Sequence, residues 1–263
     1  MARSINALFD LRGKTALVTG GSRGLGLQMA EALGEAGARI LVTARKEDEL
    51  TQAVTHLKSR NIEADWVAAD CADHASIKKL CDTAISRLGH VDILVNNAGA
   101  AWGAPAEDHP LEAWDKVMNL NIRGYFLLSQ MIGKLCMIPR HSGRIINLAS
   151  IAGLGGNPED MQTIAYNTSK GAVLNFTRAL AAEWGHHNIT VNAICPGFFP
   201  SKMTKGTLEH MGVDRLIAGA PLKRLGDDED LKGLCVLFAS DAGKHITGQW
   251  MAVDGGVTAV VAG

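Results

Sequence analysis

The chain has 263 residues, 47% of them hydrophobic and 20% charged, and its formal net charge is −1. That length suits one large α/β domain or two small ones, and the interspersed Lys, Arg, Asp and Glu give no support for a nucleic-acid partner or a membrane surface. No run of about 18 apolar residues is present to span a bilayer, and residues 1–12 lack the apolar core and cleavage pattern of a secretory signal.

Residues 14–19 (KTALVT) form a short β-branched apolar run that stops at Gly20 and reads as a buried strand. Gly20-Gly21-Ser22-Arg23-Gly24-Leu25-Gly26 follows, then Leu27, Met29, Ala30 and Leu33 at helical spacing. A strand, a glycine turn and a helix N-terminus together make an anion site, because backbone N–H groups and the helix dipole both face the loop. Glycine also lets the backbone approach a pyrophosphate closely. The spacing is Gly-x-x-x-Gly-x-Gly rather than Gly-x-Gly-x-x-Gly, and a tight connection without a ligand is the alternative reading.

Residues 39–43 are the second strand, with Ala44 and Arg45 next. In a dinucleotide fold an acidic residue here holds the ribose 2′-hydroxyl, whereas an Arg suits a 2′-phosphate. Ala44 stands where the carboxylate belongs, and Arg45 and Arg23 favour the phosphorylated cofactor, NADP(H). The alternative makes Arg45 a solvated loop residue. Residues 47–60 read as an amphipathic helix, 62–69 as a strand ended by Asp70, and 74–88 as a helix closed by Gly89. The strand at 91–95 runs into Asn96-Asn97-Ala98-Gly99, a small-residue turn suited to a ligand at the carboxyl edge of a parallel sheet.

Residues 111–138 are helical in pattern and contain Asn119, Asn121 and Gly124. An Asn in mid-helix competes with the backbone unless its amide has a task. A break is expected at 139–142, then a fifth strand at 144–149 ending at Ser150. Residues 151–163 read as a loop, and 164–184 as a helix closed by Gly185. Tyr166 and Lys170 lie four apart in its first turns, which puts both on one face. A free phenol has a pKa of about 10; a nearby cation lowers it and makes the pair a candidate proton donor and acceptor. Two surface residues on one helix face is the bland alternative.

A sixth strand at 189–194 is expected to break at Cys195-Pro196-Gly197. The mixed stretch 198–225 reads as a lid over an apolar pocket or as a core helix pair. A helix at 227–239 and a last strand at 249–253 complete the chain. Strands and helices alternate with no linker, which predicts a single-domain Rossmann fold: one doubly wound, parallel, seven-stranded sheet with helices on both faces. Cysteines 71, 81, 136, 195 and 235 form no Cys-x-x-Cys, and the nine His show no ligand spacing, so no metal is expected. Scattered thiols of this kind read as reduced core residues of a cytoplasmic protein.

Over nearly its whole length the chain resembles the short-chain dehydrogenases/reductases. The resemblance rests on Thr19–Gly26, Asn96-Asn97-Ala98-Gly99, Asn121 in its helix, Ser150, Tyr166-x-x-x-Lys170 and Pro196-Gly197, in that order. It implies a carbonyl/alcohol oxidoreductase with NADP(H) on the loop formed by Gly20, Ser22, Arg23, Gly24, Leu25 and Gly26, and with Arg45 at the 2′-phosphate. Tyr166 would be the acid/base, Ser150 would hold the substrate oxygen, Lys170 would grip the nicotinamide ribose and lower the Tyr166 pKa, and Asn121 would hold a water linking Lys170 to solvent. Asp70 and Cys71 would border the adenine; Asn97, Ala98 and Gly99 the ribose; Pro196, Gly197, Phe199 and Ser201 the nicotinamide. The resemblance also implies a homotetramer acting on a small molecule.

Two departures stand out. Sixteen positions separate Ser150 from Tyr166, about three more than is usual, and the surplus falls at 157–161. Glu159 and Asp160 there would disfavour anionic substrates. Ser201 replaces a usual Thr. The opening Leu8-Phe9-Asp10-Leu11 is similar to gluconate 5-dehydrogenase-like enzymes, and residues 196–204 are similar to NADPH-dependent 3-oxoacyl reductases, so the substrate stays open between these. The basic pair that carrier-protein substrates require falls on Arg140 and His187, and His is uncharged over most of the neutral range. A non-catalytic NADP-binding protein would have no reason to keep Ser150, Asn121, Tyr166 and Lys170 together.

Overall fold

The computed structural model describes residues 2–260. Its frame is seven parallel strands: β1 (Thr15–Thr19), β2 (Arg39–Ala44), β3 (Ala64–Ala68), β4 (Ile93–Asn96), β5 (Gly143–Leu148), β6 (Ile189–Pro196) and β7 (Trp250–Val253), in the order β3-β2-β1-β4-β5-β6-β7. Every residue of β1, β5 and β6 is buried. Strands buried along their whole length are what a parallel sheet covered on both faces requires.

The helices are α1 (Ile5–Phe9), α2 (Gly24–Glu35), α3 (Glu47–Ser59), α4 (His74–Leu88), α5 (Leu111–Met118), α6 (Gly124–Ile132), α7 (Ile138–Arg140), α8 (Ile164–Trp184), α9 (Lys205–Met211), α10 (Val213–Gly219) and α11 (Lys232–Ala239). Successive strand residues point to opposite faces. Ala16 and Val18 join Met29, Leu33, Leu57 and Phe238 in the core under α2, α3 and α11. Leu17 joins Ile77, Leu80, Leu128, Ile132 and Leu180 under α4, α6 and α8.

Because β1 lies between β2 and β4, chain connections leave in opposite directions there, and a crevice opens at the carboxyl ends of β1 and β4. This is where Gly20–Gly26 and Asn97–Gly99 project.

Three expectations need correction. Helical backbone runs on through Pro139 to Arg140, and the turn comes at His141 with φ 48°; two π-helical segments, Asn119–Arg123 and Gly133–Met137, re-space the stretch on the way. β6 continues through Cys195 and Pro196, because β7 extends alongside it and the Gly197 N–H bonds Val253 O at 2.9 Å just past the proline. α11 starts at Lys232 instead of 227, because Asp227 and Asp230 fold residues 227–230 into a turn: the Asp227 N–H donates to Asp230 Oδ2 and the Glu229 N–H to Asp227 Oδ1, each at 2.9 Å. The mixed stretch 198–225 resolves into α9 and α10, with their own small cluster of Leu208, Met211 and Leu216 packed on Met161, Phe198 and Leu225.

Candidate active site

A cleft of about 690 Å³ opens at the crevice, within the usual size of small-molecule sites. Its floor begins at the glycine loop. α2 starts at Gly24, which takes φ 54°, a left-handed conformation open to glycine. At Gly26 an added Cβ would lie 2.3 Å from Gly20 O, so only glycine lets the helix start so close to the strand. Asn97 keeps the loop in this shape: its Nδ2 donates to Thr19 O at 2.8 Å and to Gly20 O at 3.1 Å. The Thr19 hydroxyl accepts from the N–H groups of Asn97 and Ala98 at 2.9 and 3.0 Å. Asn97 therefore lines the cleft with its amide donors already committed to the loop.

The residues present fit a dinucleotide. No side chain caps α2, so its first N–H groups are left to face the loop. A Cβ built on Gly24 meets nothing nearer than Ser201 Cβ at 3.9 Å, across the cleft. Arg23 and Arg45 are exposed at the outer end, and Asp70 and Cys71 line the wall between. Ala44 ends β2 without a carboxylate. Leu25, Ala98 and Gly99 on one side and Pro196, Gly197, Phe199 and Ser201 on the other complete the walls.

At the inner end Ser150, Tyr166 and Lys170 line the same cleft. Ser150 follows β5 and turns the chain: its Oγ accepts from the Ala152 N–H at 3.1 Å. The same hydroxyl lies near enough to the Tyr166 phenol to favour its ionised form. Lys170, one turn beyond Tyr166, is buried; its Nζ donates to Leu148 O at 2.6 Å and lies 5.6 Å from the centre of the Tyr166 ring.

Asn121 sits behind the cleft wall, in the first π-helical segment. Single π-helical turns of this kind recur at functional sites. Its amide clasps Ala100, accepting from the N–H at 2.8 Å and donating to the carbonyl at 2.9 Å, and also donates to Ser169 Oγ at 2.9 Å. Ser169 in turn donates to the Tyr166 carbonyl at 2.8 Å. The costly mid-helix Asn thus ties the loop after β4 to the turn of α8 that carries Tyr166.

Burial changes the expected acid–base picture. Desolvation raises the Tyr166 pKa above its ordinary value, and the nearby Ser150 hydroxyl offsets only part of that. Desolvation also pushes Lys170 down to about 7. The reading that the cation lowers the phenol is therefore corrected for the ligand-free protein: the ammonium of the buried Lys170 points to Leu148 O and packs against ring faces, and the phenol is half-buried in the cleft wall.

Two residues at the site were not anticipated. Tyr125 is buried against Lys170, whose Nζ lies 5.5 Å from its ring centre, and its hydroxyl donates to Leu148 O at 3.3 Å. It is one of only two tyrosines in the chain and lies one helical turn after Asn121, a spacing that could have flagged it. Glu49 on α3 reaches into the outer end of the cleft and ion-pairs with Arg23. It lies four residues after Arg45, in the first turn of α3.

The family model for short chain dehydrogenases matches residues 14–212. The chain belongs to this family. A 3-oxoacyl-(acyl-carrier-protein) reductase of rhamnolipids biosynthesis from Pseudomonas aeruginosa is 36% identical over 94% of this chain and 97% of its own. The gluconate 5-dehydrogenase of Gluconobacter oxydans is 34% identical over 95% and 97%. Among solved structures, a gluconate 5-dehydrogenase from Burkholderia cenocepacia J2315, in complex with NADP and tartrate, superposes with a TM-score of 0.92 at 33% identity, covering 98% of this chain and 100% of that one.

Proposed function

We propose that the chain is a single dinucleotide-binding domain that reduces a ketone or 3-oxoacyl thioester to a secondary alcohol with NADPH, with residues 198–225 as the substrate lid. The convergence of Ser150, Tyr166 and Lys170 at the inner end of a cleft that begins at an uncapped, glycine-lined helix N-terminus carries this reading. The cofactor assignment draws on Arg23, Arg45 and the missing carboxylate at Ala44, and on the NADP reported with the Burkholderia structure.

When bound, the dinucleotide supplies the hydride. The chain's own residues do the rest. Ser150 orients the substrate oxygen by its hydroxyl, and Tyr166 delivers the proton to it. A phenol held above its ordinary pKa is fully protonated at neutral pH, which suits the reductive direction. Lys170 grips the nicotinamide ribose and Asn121 orders the water that returns a proton toward Lys170, while Asp70, Cys71, Asn97, Ala98 and Gly99 border the adenosine half, and Pro196, Gly197, Phe199 and Ser201 the nicotinamide.

A sugar acid is the second reading, and two observations favour keeping it. Asp160 is neutralised by Arg215 at 2.7 Å, so the acidic rim expected to repel anions is reduced to Glu159. The carrier-protein pair is also weak: Arg140 lies 3.4 Å from Asp92, and burial together with His186 and His141 pushes His187 below its usual range. A free ketone, a CoA thioester or a keto-gluconate fits these observations better than a carrier protein. NADPH consumption with a panel of ketones, 3-oxoacyl-CoA esters and 5-keto-gluconate tests the reading; no turnover with any of them would count against it.

We also infer a cytoplasmic homotetramer. The five cysteines are free and buried, and Leu111, Phe126 and Leu135 leave apolar surface exposed on the 111–140 stretch. Among the described residues no helix is long and apolar enough to cross a membrane, and no cluster suits a metal. Light scattering of the purified chain tests the assembly.

A further inference from the structure

Arg23 carries an exposed side chain in the glycine loop, yet it does not point free into the cleft. Glu49 Oε2 accepts from its Nη1. The same carboxylate oxygen is 3.5 Å from the Ser22 hydroxyl, and Oε1 is 3.5 Å from Lys46 Nζ. Glu49 is largely covered, at 21% side-chain exposure against 51% for Arg23. It sits in the first turn of α3, where the helix dipole favours a negative charge. Arg23, Arg45 and Ser22 are the groups that would meet a 2′-phosphate, and Glu49 lies among them.

We propose that Glu49 is a specificity-determining residue: its carboxylate occupies Arg23 as an internal substitute for the 2′-phosphate, which must displace it when NADP(H) binds. The inference rests on the reading of the cleft as an NADP(H) site. A planar guanidinium offers its fork to a carboxylate or a phosphate with the same geometry, so the exchange replaces one charge-assisted contact by another. Lys46, already 3.5 Å from the other Glu49 oxygen, keeps a cation beside the displaced carboxylate and makes the exchange easier. The consequence is a damped preference. Arg23 contributes to NADPH only the difference between phosphate and Glu49, so the chain discriminates less between phosphorylated and unphosphorylated cofactor than two arginines without an acid would.

The test uses titration of the ligand-free protein with 2′,5′-ADP and with 5′-AMP, which carry or lack the phosphate and need no turnover. Glu49→Gln is expected to tighten 2′,5′-ADP about two- to fivefold, the measure of one exposed ion pair, and to leave 5′-AMP unchanged or weaker. The gain should vanish in an Arg23→Ala background, and thermal unfolding reports whether each variant is folded. Unchanged or weaker 2′,5′-ADP binding in Glu49→Gln overturns the proposal, as does a gain that persists without Arg23. A different result marks failure of the cofactor reading itself: wild-type protein that prefers 2′,5′-ADP over 5′-AMP by nothing, with Arg45→Ala equally indifferent, removes the phosphate site and this inference with it.

Discussion

The inner end of the cleft and the 198–225 stretch are built on opposite plans. At the inner end, Ser150, Lys170 and Asn121 are all under a tenth exposed, and each projects from an element anchored in the sheet or in α6 and α8. Their polar atoms have assigned partners: Leu148 O for Lys170, Ala100 and Ser169 for Asn121, the Ala152 N–H for Ser150. In the 198–225 stretch, α9 and α10 instead pack on a small cluster of Leu208, Met211 and Leu216, with Phe199 and Ala220 buried beside them, and the exposed Arg215–Asp160 pair links α10 to the surplus loop at 157–161. Met203 there is 49% exposed. Position is over-determined at the proposed site of proton transfer and more loosely determined in the proposed lid. Segments with few buried contacts open most easily.

The sharpest way to break this contrast is at the phenol. Tyr166→Phe should lower kcat by about 10²–10⁴-fold, the usual worth of a positioned acid, with NADPH affinity unchanged by fluorescence titration. Near-full activity would mean another donor acts and the inner end is only scaffolding. At the outer end, a charge-assisted contact to phosphate is worth about 1.5–3 kcal/mol. Arg45→Ala should therefore weaken NADPH by roughly ten- to a hundredfold and leave NADH nearly untouched; equal losses for both would remove the 2′-phosphate argument.

Lys170 gives a test of rigidity that needs no substrate. Burial holds it down to about 7 in the folded protein, against 10.5 for the free side chain. Between those values the unfolded chain still binds a proton that the folded chain has released. Stability should therefore rise with pH across that window, at no more than about 1.4 kcal/mol per pH unit, and be flat in this respect below it. Lys170→Met should abolish that rise. Urea midpoints of the ligand-free protein at pH 6.5, 8 and 9.5 measure it, and identical profiles for both proteins would show that Lys170 is not held out of water.

The smallest effect belongs to the proposed lid. Asp160→Asn removes an exposed ion pair worth about 0.2–1 kcal/mol, so global stability should hardly move and any change should fade in high salt. Removing three residues from 157–161 should alter the ranking of substrates while NADPH affinity stays put. An unchanged ranking would demote the loop to plain surface.

Much of this protein follows from local pattern. The helices His74–Leu88 and Ile164–Trp184 match their predicted bounds, since apolar periodicity runs up to Gly89 and Gly185. The glycine loop, the Tyr166–Lys170 spacing and the alternation of strand and helix depend only on neighbours in the chain, and they carry the sheet and the place of the cleft. What only the tertiary structure decided is the state of those groups. Tyr166 lies higher and Lys170 lower than the pair alone suggests because other elements bury Lys170 and partly desolvate Tyr166. Pro196 stays in its strand because β7 lies beside it, and Arg23 is engaged because α3 brings Glu49 across from 26 residues away. Periodicity and spacing are properties of consecutive residues, whereas desolvation and the choice of partner arise from segments distant in sequence, so only the folded chain determines them.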